Sequence, residues 1–339
     1  MGGTVMRKRT LAICLSLFFG CFLGLLTTPV FSEAADEGQS GRSSLWIDFF
    51  RGEPLSYEEV LDDLAGVDVV YLGEYHGVDR HHEIQRRIVT DLAQRGRPLV
   101  LAMEQLESFQ QPDVDRYNRG EIDFDQLAEA IEWGRRWGNY KQYRPIVEAA
   151  RKANIPVLAL NARSETIRQV ARSGGLDRMD PKARSELPAD IWLDDPAYRK
   201  RLSLQMMVHA AANPETLRPM IEAQIARDEA MASALCSFLK SEAGRGRAAI
   251  VLCGAAHVTF GQGTASRVRR RLPEIKERIV RLSASSDVVL SPQSRAVARP
   301  VIITHEQLRQ IDRPIADYLY VTSLKTTSKP PATEKGGIN

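Results

Sequence analysis

Cysteine is scarce in this chain. Of four, Cys14 and Cys21 fall in the N-terminal apolar run, leaving only Cys236 and Cys253 for a folded domain. Two thiols exclude a disulfide scaffold and a zinc site built from cysteines. Cys236 reads as helix and Cys253 as buried strand, so two free thiols are expected rather than a bridge. Phosphate-binding motifs are missing as well. No G-x-x-x-x-G-K-[ST] occurs, and the turn begun by Gly261-Gln262-Gly263 has Ser266 where a dinucleotide fingerprint needs its last glycine. His82-Glu83-Ile84-Gln85 is not H-E-x-x-H, which excludes the zincin pattern. No period of 20–50 residues recurs, so solenoids and propellers are excluded. Excess charge is small: +3 for the whole chain, and +1 once Arg7, Lys8, Arg9 and Glu33 are removed with residues 1–34. A near-neutral protein has no general affinity for nucleic acid.

What is present begins with an export signal. Arg7, Lys8 and Arg9 precede an apolar run from Leu11 to Leu26, and Ser32 and Ala34 then sit two apart as a signal peptidase requires. The run is short for a membrane core of ~30 Å, so cleavage near Ala34 or Ala35 is expected over a retained anchor. Gly20-Cys21 is a poor lipobox, because Phe22, Leu23 and Leu25 continue the hydrophobic run where a lipid-anchored cysteine needs a polar tether. The protein is therefore expected in the periplasm or cell envelope, with lipid or membrane attachment weakly supported. Residues 35–45 read as a polar tether, 46–321 as the folded domain, and 322–339, rich in Thr, Lys, Pro and Gly, as a disordered tail.

Within the domain, five short apolar runs alternate with helical periodicity: Val67–Leu72, Leu99–Met103, Ile155–Leu160, Ala248–Leu252 and Arg278–Leu282. Residues 80–95 carry Ile84, Ile88, Leu92 and Ala93 on one helical face. Residues 112–133, 143–154 and 264–272 also read as helix, and residues 299–323 as added edge strands. Continuous apolar strands alternating with helices specify an α/β fold: a mostly parallel central sheet flanked by helices. A long helical insert over 164–242 separates the third and fourth strands. A two-layer α+β arrangement is the alternative.

Ligands of such sheets bind beyond the strand carboxyl ends. There the sequence places Gly73-Glu74-Tyr75-His76, Glu104-Gln105, Asn161 with Arg163, and Gly254-Ala255-Ala256-His257. Glycine in both G-x-x-H segments is expected to turn the chain off its strand and to leave room beside the main chain. His81 and His82 open the next helix, one facing the crevice and the other solvent. Trp133, Trp137, Tyr140 and Tyr143, with Arg135 or Arg136, form an aromatic and cationic cluster able to build a flat apolar slot. His209 and His305 read as ordinary histidines. Arg227-Asp228-Glu229 reads as a solvated face with an internal ion pair, and Arg267, Arg269, Arg270 and Arg271 as a solvated helix face.

Taken in order, Val69–His76, His81-His82, Met103-Glu104, Tyr143–Ile146, Asn161–Arg163, Arg227–Ala232 and Gly254–Val258 resemble the ChaN-like haem-binding family. The resemblance spans about residues 45–285. It implies an envelope protein of haem or iron acquisition or storage, with haem held between two subunits of a homodimer and its iron on tyrosine with histidine nearby. His76, His257, Tyr143, Tyr140, His82, Asn161 and Arg163 are the haem-contacting candidates on this reading. The two G-x-x-H segments also resemble the wider Tiki, TraB and erythromycin-esterase group. That alternative is a hydrolase dependent on a divalent metal ion (Zn, Mn or Co), with His76, His257, Glu74 and Glu104 as ligands and Glu74 or Glu104 as general base. A non-catalytic envelope scaffold is the third reading.

Overall fold

In the computed structural model, the described residues are 44–209, 214–283 and 312–322, without the side chains of 207–209, 214–216 and 322. The signal segment, most of the tether, nearly all of the tail, the His209 side chain and His305 lie outside them. The five apolar runs are all strands. In chain order the strands are β1 (Ser44–Asp48), β2 (Glu53–Leu55), β3 (Val69–Glu74), β4 (Leu99–Glu107), β5 (Val157–Asn161), β6 (Ala248–Gly254), β7 (Glu277–Ser283) and β8 (Tyr318–Thr322). They form one sheet of order β2-β1-β8-β7-β3-β6-β4-β5. From β8 to β5 every neighbouring pair is parallel, while β1 and β2 add an antiparallel edge. β1 starts at Ser44, inside the segment read as tether, because its backbone pairs with β8.

The helices are α1 (Tyr57–Ala65), α2 (Asp79–Gln94), α3 (Gln111–Asn118), α4 (Phe124–Ala130), α5 (Trp133–Arg136), α6 (Arg144–Lys152), α7 (Ser164–Ser173), α8 (Pro181–Arg184), α9 (Pro196–His209), α10 (Pro214–Lys240) and α11 (Thr264–Arg271). Four of them, α7 to α10, make up the insert between β5 and β6. Every residue of β3, β4, β5 and β6 is buried, so both sheet faces are covered. Alternation along each strand sorts the side chains. Val70, Leu72, Leu101, Met103, Ile250 and Leu252 pack with α1, α2, α4 and α6. Val69, Tyr71, Val100, Ala102, Val251 and Cys253 point the other way, against Met231, Leu235 and Cys236 of α10 and Val268 of α11. The three-layer α/β architecture is thus the observed one. Cys236 and Cys253 are free and buried in that second layer. Among the described residues, no helix is long and apolar enough to cross a membrane.

The arginine run of α11 is not the solvated face its sequence indicates. Arg267 is fully buried and reaches Glu229 (3.3 Å) and Asp195 (3.4 Å), and Arg271 pairs with Glu229 at 2.5 Å. Glu229 is itself buried on α10, so these ion pairs clamp α11 to the insert. A buried charge persists only where opposite charges and hydrogen bonds replace its water.

Leu72 lies at the sheet centre with no exposed surface. Leu72→Ala is expected to cost about 2–5 kcal/mol in urea denaturation, the range for a central leucine whose cavity cannot collapse.

Candidate functional site

The strand order decides the geometry of the site. β3, β6, β4 and β5 are consecutive neighbours, so the four polar segments that end them meet at one sheet edge. The two G-x-x-H segments are in register, with Gly73 opposite Cys253 and Glu74 opposite Gly254. Their glycines serve close approach rather than a turn. Gly254 has ordinary extended angles (φ −59°, ψ 136°). A Cβ there would lie 2.8 Å from His76 Nε2, and one on Gly73 would lie 3.1 Å from the Ala255 Cα. Each motif's glycine therefore makes room for the other motif, and the room expected for a ligand is occupied by the protein itself.

Two buried hubs result. Glu74 is the first. Its Oε1 accepts from Tyr143 Oη (2.5 Å), His76 Nδ1 (2.7 Å) and Gln105 Nε2 (3.0 Å), and its Oε2 accepts from Gln85 Nε2 (2.7 Å). His82 Nε2 lies 3.4 Å from the same Oε2, an ion-pair distance too long for a good hydrogen bond. His257 is the second hub. Its Nδ1 lies 2.7 Å from Asp228 Oδ1, and its Nε2 lies 3.2 Å from Glu104 Oε1. The other oxygen of Glu104 accepts from the Gly254 backbone N–H at 2.6 Å. Asp228 also accepts from Thr264 Oγ1 (2.8 Å) and from the Tyr198 hydroxyl.

These contacts set the charges. Burial pushes the Glu74 carboxyl up, but the hydrogen bond from His76 and the imidazole of His82 close by outweigh it and hold the group at about 2. Burial likewise raises Glu104, and the nearby positive charge of His257 wins, keeping it well below the usual carboxylate range. Burial disfavours the His257 imidazolium, yet Glu104 and Asp228 together raise it to about 10. His76 is raised too, against its burial, chiefly by its hydrogen bond to Glu74.

Glu74, His76, His82, Glu104, Asn161 and His257 thus come together. Asn161 does so through the backbone, donating from Nδ2 to the Glu104 carbonyl at 2.9 Å. Tyr143 is present but wholly buried, its hydroxyl engaged by Glu74. Tyr140 is not in the crevice; its ring stacks on Phe124 at 6.3 Å, in the layer that holds Trp133. Trp133 is buried and donates to the Gln105 carbonyl, so it is structural. Arg163 lies outside the hubs, its guanidinium over Phe109 (3.9 Å) and 3.5 Å from Glu186. Neither His81 nor His82 faces solvent. His81 Nδ1 accepts the Tyr75 N–H at 3.0 Å and its Nε2 lies 3.0 Å from the Ser283 carbonyl, so the ring splices β3 to β7.

Sequence reasoning missed Asp228 and Gln85, and placed Gln105 at its strand end without giving it a role. Asp228 is fully buried rather than solvated. Its signal was available: Gln224 and Asp228 are one helical turn apart, and both reach His257. Tyr75 was also passed over. All nine tyrosines are described; Tyr75 alone is exposed (41%), Tyr57 and Tyr140 are half-buried, and the rest are buried. It stands at the crevice mouth with its hydroxyl accepting from Arg281 at 2.9 Å, beside His76, whose side chain is 36% exposed and packs edge-on against Trp137. A cavity of about 670 Å³ opens elsewhere, at the amino ends of β3 and β7, and its charges are internally paired, as in Arg278–Asp63 and Arg269–Glu277.

Fold and site together define a doubly wound α/β protein with a charged acid–imidazole crevice at its strand carboxyl ends. The profile of the family described as haem-binding uptake, Tiki superfamily, ChaN matches residues 60–268, and the chain belongs to that family. Among solved structures it is similar to ChaN of Campylobacter jejuni, described as cofacial haem binding, with a TM-score of 0.61 at 20% identity over 83% of this chain and 97% of that one. At that identity the likeness establishes the fold. Weaker likenesses, below the level that bears on the site, are to an erythromycin esterase (TM-score 0.42, 13% identity, 70% of this chain and 76% of that one) and to a toxin effector domain of Vibrio vulnificus (0.40, 16%, 68% and 36%). No curated protein matches the chain.

Two outcomes follow from the hubs. The His257 contribution to stability is complete below its ordinary value of 6.5 and fades as pH rises through about 10. That of Glu74 is complete above 4.5 and fades as pH falls through about 2. The urea midpoint is therefore expected to be highest between these ordinary values and to fall on both sides. Gly254→Ala is expected to push the His76 ring off Glu74, at a cost of about 1 kcal/mol for the lost hydrogen bond. Nitrogen chemical shifts of His76 report the displacement, and an unmoved ring would contradict the close-approach role of Gly254.

Proposed function

We propose that this protein is an exported haem carrier or store of the periplasm or cell envelope, serving haem or iron acquisition, and that it binds haem at the crevice mouth between two copies of the chain. Haem is the cargo on this reading. Membership of the haem-binding ChaN family carries the proposal, and the exposed donors at the mouth support that location. Tyr143, His82 and His257 do not fit an iron, because each is buried and faces a carboxylate. Tyr75 fits. It is the exposed tyrosine, and its phenol oxygen, the atom by which tyrosine ligates iron, is held at the mouth by the Arg281 N–H. His76 is the adjacent imidazole. Its Nδ1 is fixed by Glu74, which leaves Nε2 as the free nitrogen. Trp137 against the His76 ring supplies an apolar edge for a flat ligand.

The divalent-metal hydrolase alternative lacks its ligand set. Among the described residues, no group of three or more His, Cys, Asp or Glu side chains could hold a metal ion. The histidines named for that role are instead bonded to the carboxylates named with them.

Adding ferric haem to the purified chain is expected to give a saturable Soret band with the charge-transfer absorption of an iron–phenolate bond. Tyr75→Phe removes that absorption, whereas Tyr143→Phe leaves it intact. A Tyr75→Phe spectrum identical to wild type would exclude the crevice mouth as the haem site.

A further inference from the structure

The hydroxyl assigned above to iron is held from a neighbouring strand. Tyr75 leaves β3 with its backbone N–H donating to His81 Nδ1 at 3.0 Å, and its side chain reaches Arg281. Arg281 lies on β7, the parallel neighbour of β3, with its Cα opposite that of Gly73. Its guanidinium forks between two hydroxyls. Nη2 donates to Tyr75 Oη and Nη1 to Thr259 Oγ1, both at 2.9 Å, and Cζ lies 5.6 Å from the centroid of the Tyr75 ring. Thr259 is buried and donates its own proton to the Ala255 carbonyl at 2.6 Å, so it meets Arg281 as an acceptor. The fork thus ties Tyr75 to the second G-x-x-H segment. Two other arginines at β7 have acids: Arg278 pairs with Asp63, and Arg269 with Glu277. Among the described residues no carboxylate pairs with Arg281. An acid there would displace the phenol, because a carboxylate is the stronger match for the guanidinium fork. Without one, the cation stays committed to Tyr75 and Thr259.

We propose that Arg281 is a positioning residue for the haem site: it fixes the Tyr75 oxygen at the mouth and keeps an N–H on that oxygen when it ligates iron. The role rests on the reading of Tyr75 as the ligand. A guanidinium suits it, because its planar fork is preorganised to serve two oxygens at once, whereas an ammonium is a point charge on a flexible stem. A donor on a ligand atom also tunes the metal. The N–H draws electron density from the phenolate oxygen, which weakens its bond to ferric iron and favours the ferrous state. A bond held below full strength suits a cargo that has to leave.

The purified full chain is loaded with ferric haem, and the charge-transfer absorption and reduction potential are measured for wild type, Arg281→Leu and Arg281→Lys. Arg281→Leu is expected to retain the phenolate absorption at a shifted wavelength. Its preference for ferric over ferrous iron is expected to rise roughly tenfold, the size of one charge-assisted hydrogen bond, which lowers the potential by about 59 mV. In the haem-free chain, the Tyr75 ring resonances of Arg281→Leu are expected to move toward those of a freely rotating ring. A residue that only pins Thr259 and its loop to the sheet would lower the urea midpoint and move neither absorption nor potential. That result overturns the role, as do Tyr75 resonances unchanged from wild type. Should Arg281→Leu not fold, Arg281→Lys decides: a smaller shift of absorption and potential in the same direction supports the role, and wild-type values overturn it. No Soret band in wild type, or a charge-transfer absorption that survives Tyr75→Phe, would remove the Tyr75 reading and this role together. A Tyr75-dependent absorption and potential that are the same in Arg281→Leu would remove this role alone.

Discussion

Three carboxylates buried at one edge of a sheet have to stay ionised, and everything at this end of the molecule follows from how they manage it. Glu104 and Asp228 grip opposite nitrogens of His257, at 3.2 and 2.7 Å. Glu74 gathers donors from β3, β4, α2 and the segment before α6. Remove the imidazolium and two charges are stranded in a layer that excludes water, which costs far more than the pair contributes when intact. The network therefore fixes the mutual positions of β3, β4, β6 and α10 as firmly as the apolar layers do.

The fold was readable because strands buried on both faces need continuous apolar runs, and five such runs stand out in the chain. The shared cleft was readable in part. Glu74, His76, Glu104 and His257 all follow strands, so each was placed at the right edge, but the order β3-β6-β4 that unites them is set by pairing across nearly two hundred residues. Roles within the cleft were harder. Tyr143 and Tyr140 lie in the same aromatic stretch, yet one is buried on Glu74 and the other stacks on Phe124. Spacing along the chain carries no record of which way a ring points.

The charged runs were the most misleading. Arg227-Asp228-Glu229 and Arg267–Arg271 have the composition of solvated helix faces, but Asp228, Glu229 and Arg267 are fully buried. Long helices in an insert have two packed faces, and a polar residue on the inner one is invisible to composition. The glycines of the two G-x-x-H motifs teach a related lesson. Their spacing pointed to turns, whereas the structure uses their missing side chains to let each motif lean on the other. Glu74, Glu104, Asp228 and His257 are bonded to one another or to their neighbours in the interior, whereas Tyr75 and His76 keep exposed surface at the mouth.

The most direct measurement is the ring-nitrogen spectrum of His257 across a pH titration. The account predicts an imidazolium with both nitrogens protonated at neutral pH, losing its proton only near 10. A neutral ring with one protonated nitrogen at pH ~7, the ordinary behaviour of an unpaired histidine, would contradict it.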